Sequence, residues 1–464
     1  MIKTSQYPQW MFIIFPALAM MLGWGLRGHI GGGPFGAMIP GAMVALSMGL
    51  LCEMPAAATS FLLVFGVFGI GMGGEMTYGQ TLGFLRSPET LAWGTAGTTL
   101  KGAVWGLLGG AVLSLGLVFK KIPKRKIIIA ILLLITGIFL GFKLINDPML
   151  LYFSDPENPR AESWAGLLLG AVFLLSYLKI KISSAEFRII FRFAFWGMAG
   201  GALGFGLGGL WLFLGSQLPG VIFTSWWKAM EFTFGLLLGG ALGYATWLSK
   251  GEAVLQNGKE DVSSETKIYT GWKEPVVALA TGLLIYWLIP NTMEWFAKTT
   301  IINNMPGGTI SREIARIMVN YSVAGLLFVW VVMRFPKAAW QIGITLTFCH
   351  ASIDLIRDFY PDVNTWSPFN FRFFYIFLMT AGVGLLTHYF SRRTKVVARL
   401  FLLLIWACIM VSFLRLFIDP EKLNVEGLSF CQIVCGKFIV DIIFALSAAV
   451  VSWFIIWKFQ LTKS

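Results

Sequence analysis

Long apolar blocks separated by short polar stretches run the whole length of the chain. They lie near 9–26, 34–51, 56–74, 97–119, 127–145, 163–179, 190–215, 232–249, 275–290, 312–333, 338–358, 372–391, 396–418 and 437–458. A helix of roughly 20 apolar residues crosses the hydrocarbon core of a bilayer, so the pattern predicts about fourteen transmembrane helices. The predicted class is all-α, a polytopic integral membrane protein. An even number of spans puts both termini on one side.

Inside these blocks a glycine-rich phrase recurs. It reads Phe35-Gly36-Ala37-Met38-Ile39-Pro40-Gly41-Ala42, then Trp105-Gly106-Leu107-Leu108-Gly109-Gly110-Ala111. It returns as Trp164-Ala165-Gly166-Leu167-Leu168-Leu169-Gly170-Ala171 and as Phe234-Gly235-Leu236-Leu237-Leu238-Gly239-Gly240-Ala241. The spacing leaves room for two spans per copy, which predicts four repeated Gly-rich two-helix hairpins in the N-terminal half. Small residues four apart, such as Gly235 and Gly239, share one helix face and let backbones approach closely. The stretch from Gly23 to Gly36 is denser still, with Pro34 and seven glycines in all around Arg27 and His29. Its composition predicts an irregular backbone.

Glycine also divides the chain. Forty of the 52 glycines precede residue 251, so the two halves are built differently. The division is 1–250, a polar cytoplasmic linker at 251–274, and a second membrane half of about six helices at 275–464. The composition, 57% hydrophobic and 13% charged, excludes an ordinary soluble protein. The start carries no small-residue cleavage site, so no removable signal peptide is expected. The five cysteines form no framework: Cys52, Cys349 and Cys408 lie in or near apolar spans, and Cys431 and Cys435 lie close together in a loop region and pair only if that loop is not helical.

Charge supplies the orientation. Lys120, Lys121, Lys124, Arg125 and Lys126 form one basic connection, and Lys179, Lys181, Arg188 and Arg192 another. Arg334 and Lys337, then Arg392, Arg393, Lys395 and Arg399, continue the series. These alternate with mixed or acidic connections. The positive-inside rule then predicts a bacterial inner-membrane protein with both termini cytoplasmic. The net charge of +13 reads as topology and affinity for anionic lipid, not as nucleic-acid binding.

The unusual polar residues fall on the other side. Glu75 follows a glycine-broken helix end and is followed by Tyr78 and Gln80. Ionisable groups at membrane depth are costly, which makes Glu75 a candidate proton or substrate carrier. The alternative is an interfacial acid held by Arg27 or Arg86. Glu162 and Glu231 precede the third and fourth glycine phrases, and Lys101 holds the comparable place before the second. Lys101 needs a nearby acid or an anionic ligand. His350, Asp354, Arg357 and Asp358 line one stripe of a helix, a plausible proton relay or a packed histidine beside an ion pair. Before the tenth block, Gly307-Gly308-Thr309 leads into Arg312, a candidate anion site at a helix start.

No nucleotide-binding, metalloprotease or haem-attachment motif is present, so no metal and no cofactor is expected. Two readings of function follow. The first is a proton- or sodium-coupled secondary transporter for a polar, anionic or sugar-like solute. Glu75, His350 and Asp354 would carry its coupling chemistry. Arg27, His29, Tyr78, Gln80, Lys101, Glu162, Glu231, Arg312 and Arg357 would bind its substrate. The alternative is an integral membrane enzyme with an outward-facing acid/base site for a glycan or lipid-linked substrate. A scaffold subunit is the third. Lipid and a small-molecule or glycan substrate are the expected partners. Oligomeric state is not legible.

Overall fold

A computed structural model describes residues 7–30, 32–155, 157, 162–218, 225–252, 273–284, 324–359, 371–418 and 424–459. The described residues are helical and contain no strand. The longer helices are α1 (Gln9–Ile30), α2 (Met38–Leu51), α3 (Ala56–Gly73), α4 (Leu91–Val118), α5 (Lys124–Gly141) and α6 (Trp164–Lys181). They continue as α7 (Ser184–Gln217), α8 (Trp226–Ser249), α9 (Thr347–Phe359), α10 (Phe371–Phe390), α11 (Val396–Ile418) and α12 (Ile439–Lys458). Ten described segments are long and apolar enough to cross a membrane. They coincide with the first eight and last two predicted spans. Described helices at Lys273–Leu283, Ala324–Arg334, Gln341–Phe359 and Phe371–Phe390 overlap the other four.

Six helices close into a ring. α1 packs on α8, α8 on α7, α7 on α4, α4 on α3, α3 on α2, and α2 back on α1. The α5–α6 pair leans on α4 from outside, while α12 and α11 pack on α1 and α2. Lipid offers apolar chains no reason to leave it, so such a ring must be held by close backbone contact. The glycines supply it. A Cβ at Gly106 would lie 1.8 Å from the Gly197 carbonyl oxygen, and one at Gly102 2.2 Å from that of Gly201, so α4 and α7 meet backbone to backbone. Gly41 meets Gly66 between α2 and α3 in the same way. Gly235, Gly239 and Gly243 seat α8 against Met20, Pro16 and Phe12 of α1.

α7 shows how the sequence encodes the inward face. Gly197, Gly200, Gly201, Gly204 and Gly208 sit on or beside its packed side. Phe191, Phe195, Leu203, Leu207 and Leu214 are exposed on the other. Large apolar side chains therefore cover the outer side, while the packed side combines the glycines with buried Phe193 and Phe205, so apolar character does not mark the inside as it does in a water-soluble helix.

The dense glycine stretch behaves differently from its propensity. α1 remains helical through Gly23, Gly25 and Gly28 to Ile30, so Arg27 and His29 stand on its last turn rather than in a loop. Each of these glycines abuts a neighbour: Gly23 meets Pro40, Gly25 meets Phe232, and Gly28 meets Glu231. Tertiary packing outweighs the helix penalty of about 1 kcal/mol per glycine. Between α1 and α2 a short turn, Gly33–Gly36, leads into α2.

Cys431 and Cys435 fall at a wide helical turn, Gln432–Phe438, that enters α12. Their sulfurs are 4.0 Å apart and unbonded. The basic connections gather at one end of the bundle: Arg192 donates to the Leu248 carbonyl at 2.8 Å, and Lys124 to that of Met333 at 2.9 Å. The opposite end holds the C-terminus of α1 and the N-termini of α6 and α8.

If backbone contact holds the ring, Gly106→Ala lowers stability by about 1–3 kcal/mol. Gly83→Ala, which would meet nothing within 4 Å, leaves it unchanged or slightly raised. Thermal unfolding of the two purified variants in one detergent checks this.

Candidate functional site

At the end opposite the basic connections, six ionisable groups are carried into the bundle. Two of them form a closed clamp. Lys101, fully buried on α4, donates to the Thr77 carbonyl at 2.8 Å, Thr81 Oγ1 at 2.7 Å and Glu162 Oε1 at 2.7 Å. Those three bonds use all three ammonium protons. Glu162 also accepts from the Phe153 N–H at 3.1 Å and from Ser154 Oγ at 3.0 Å. Thr81 Oγ1 in turn donates to the Phe153 carbonyl at 2.9 Å. The clamp fastens the 77–81 and 153–162 connections to α4. The acid that Lys101 requires is thus Glu162, and the ammonium has no proton left over.

A second pair sits at the start of α8. Lys228 Nζ lies 2.6 Å from Glu231 Oε2, and Trp227 Nε1 donates to Oε1 at 3.0 Å. This carboxylate lies flat on α1, where a Cβ at Gly28 would fall 1.9 Å from Oε1. Gly28 therefore works as a seat for the acid, and a larger residue there would have to displace the Glu231 carboxylate.

Arg27 lies between these pairs and is 2% exposed. Its Nη1 donates to the Tyr78 hydroxyl at 2.5 Å. Its guanidinium carbon stands 5.5 Å from the ring centres of Trp24 and Tyr78 and 5.3 Å from that of Trp105. Trp105 is fixed by its own bond to the Ile70 carbonyl at 2.8 Å, and Trp24 packs edge-on against Trp105 and Phe234. Three aromatic faces thus stabilise the cation. Arg27 makes no ion pair, and its Nε is buried with no hydrogen-bond partner among the described residues. Since the two Lys–Glu pairs are matched within themselves, no described residue sets a counter-charge against Arg27.

Glu75 follows α3, past the end of that span. Both carboxylate oxygens are buried and accept no hydrogen bond among the described residues. Neither Arg27 nor Arg86 holds it. Its backbone carbonyl accepts from Ser163 Oγ at 2.9 Å, which places it beside the start of α6. Burial alone pushes the Glu75 carboxyl well above the usual carboxylate range.

The other sequence candidates are dispersed. His29 Nε2 lies 3.6 Å from Asp441 Oδ1, with Phe444 edge-on, which ties α1 to α12. Gln80 Oε1 accepts from the Asp155 N–H at 3.3 Å, nearer the bundle end. His350 is buried on α9 and its ring lies 4.6 Å from that of Phe35. Asp354 and Arg357 are on α9, but their side chains lie outside the described residues, and Arg312 lies outside them altogether. Arg27, Tyr78 and Glu231 are brought together. Lys101 and Glu162 form a separate clamp, and Glu75 stands apart from both.

Sequence reasoning missed Trp24 and Asp441. Lys228 and Glu231 at i, i+3 carried a readable helix-pair signal. Trp24 carried none, because its role depends on α4 and the residue 78 connection.

Removing one member of the clamp strands a buried charge. Lys101→Met alone therefore lowers stability by about 3–5 kcal/mol, and the double change Lys101→Met/Glu162→Gln recovers part of it. Unfolding midpoints of the three proteins test this. For Glu75 the sign runs with its raised carboxyl. The folded state holds the proton more tightly than the unfolded chain does. Stability is therefore lost as pH rises from about 4.3, the unfolded value, through the folded one. Glu75→Gln removes this loss, so its midpoint falls less between pH 5 and pH 8 than that of the unaltered protein.

Comparison of the chain with protein-family models, with curated proteins and with solved structures finds no match to any of them.

Proposed function

We propose that this chain is a proton-coupled secondary transporter of an anionic solute, with Arg27 as the anion-binding group and Glu75 as the proton carrier. The observation that carries the reading is Arg27. A guanidinium 2% exposed, among aromatic rings and without a contacting carboxylate among the described residues, favours any conformation in which an anion reaches it. Glu75 complements it. A buried acid with no hydrogen-bond partner is stable there only as the neutral form, so a change of access switches its charge. Tyr78 hydrogen-bonds Arg27, and the Glu231–Lys228 pair braces the α1 end against α8.

The proposal includes the finer topology. The chain would cross a bacterial inner membrane fourteen times with both termini in the cytoplasm, and the four glycine phrases would mark copies of one two-helix hairpin. The site would then lie toward the outer face. Inverted or parallel repeats that rock around a central site are the usual means of alternating access.

Proteoliposomes holding a pH-sensitive dye test the coupling. A panel of carboxylates, sulfate and inorganic phosphate is added outside, one at a time. At least one is expected to drive proton entry into vesicles that contain the protein and not into empty ones. Arg27→Ala abolishes the response, and Glu75→Gln abolishes proton entry while anion binding remains. Proton movement that ignores every anion overturns the reading. So does chemical conversion of an added glycan or lipid-linked substrate without any gradient, which is the outcome an outward-facing enzyme gives.

A further inference from the structure

Resting on that anion-transport reading, the orientation of Arg27 narrows the chemistry of the solute. A guanidinium has two edges that present paired N–H groups. One edge carries Nη1 and Nη2. The other, the side-on edge, carries Nε and Nη2. Nη1 is engaged by Tyr78. Nε has no partner, and Nη2 makes no hydrogen bond among the described residues. The whole side-on edge is therefore uncommitted, on a side chain that is 2% exposed. Its two parallel N–H groups match the two oxygens of a planar carboxylate.

Charge and wall chemistry limit the rest of the molecule. Lys228 and Glu231 neutralise each other at 2.6 Å, and Lys101 and Glu162 do so at 2.7 Å. Glu75 is neutral when protonated. Arg27 thus contributes one positive charge, which one negative charge balances. A second negative charge on the solute would enter an apolar enclosure unpaired. The faces around the guanidinium are Trp24, Trp105 and Tyr78, with Phe205 and Phe234 packed behind them. Such walls receive a flat or apolar body by ring contact.

We propose that the Nε/Nη2 edge of Arg27 is a bidentate site for a monocarboxylate with an aromatic or otherwise apolar body. Tyr78 holds the opposite edge and so fixes the plane in which the carboxylate must lie. Lysine at position 27 would keep the charge and lose the fork.

The test uses the purified full-length protein in detergent near neutral pH. Binding is read by thermal shift and by quenching of tryptophan fluorescence. Four probes share one ring: benzoate, its neutral isostere benzamide, the dianion terephthalate, and phenyl phosphate. Benzoate is expected to raise the unfolding midpoint and quench fluorescence. The other three are expected to bind about tenfold more weakly or not at all, a difference of about 1.4 kcal/mol. Arg27→Lys, which conserves charge and keeps the fold testable where Arg27→Ala fails to fold, is expected to lose about tenfold in benzoate affinity. Equal or tighter binding of terephthalate or phenyl phosphate overturns the proposal, and so does unchanged benzoate affinity in Arg27→Lys. In either case an anion-driven proton flux in vesicles leaves the transporter reading standing. If benzoate does not bind, the monocarboxylate proposal fails. If no anion drives flux either, both fail.

Discussion

Close contact between glycine backbones is the constraint on which this structure depends. In water, six helices would be gathered by burying leucine and phenylalanine. In a bilayer those side chains are already in a suitable solvent, and α7 leaves Phe191, Phe195 and Leu203 on its outer side. The ring closes because Gly102 and Gly106 of α4 lie against Gly201 and Gly197 of α7, and Gly239 and Gly243 of α8 lie against Pro16 and Phe12 of α1. Interhelical distances that short leave little freedom in where a helix end stops. That precision is what delivers Arg27, Tyr78 and Glu231 to one place.

The same economy of space explains the polar interior. Two of its cations are each matched to an acid at salt-bridge distance, and Lys101 is saturated by further bonds. The third is surrounded by ring faces instead. Aromatic quadrupoles lower the burden of burying a charge but do not remove it. A guanidinium held in this manner stays responsive to an incoming anion, whereas one locked to a carboxylate does not. The contrast between Lys101 and Arg27 separates scaffold from candidate site.

Much of the architecture is legible in the chain. Apolar length announces the spans, and the alternation of basic connections announces which helix ends meet. Glycine spacing marks the inward faces, since apolar character is equal on both sides and conveys nothing. The site is legible only in part. Arg27, Tyr78 and Glu231 stand out as ionisable or polar groups at the same end. Their association depends on contacts between residues 51 or more positions apart, such as Arg27 with Tyr78, and local pattern has no reach over that distance. Trp24 was hidden among nineteen tryptophans, most of which a membrane protein would place at its interfaces. The helical run of α1 through Gly28 was likewise hidden, because its support comes from Pro40, Phe232 and Glu231 on other segments.

The clamp between Lys101 and Glu162 has a consequence for biosynthesis. Its members are 61 residues apart, so the ammonium leaves the ribosome well before its carboxylate exists. Through that interval α4 holds a charge that hydrocarbon does not tolerate. Its N-terminal turns must wait at the headgroup level, or against the insertion machinery, until α6 arrives. Final docking of α4 is therefore a late event in the assembly of the N-terminal half, although the helix itself is among the first to be made.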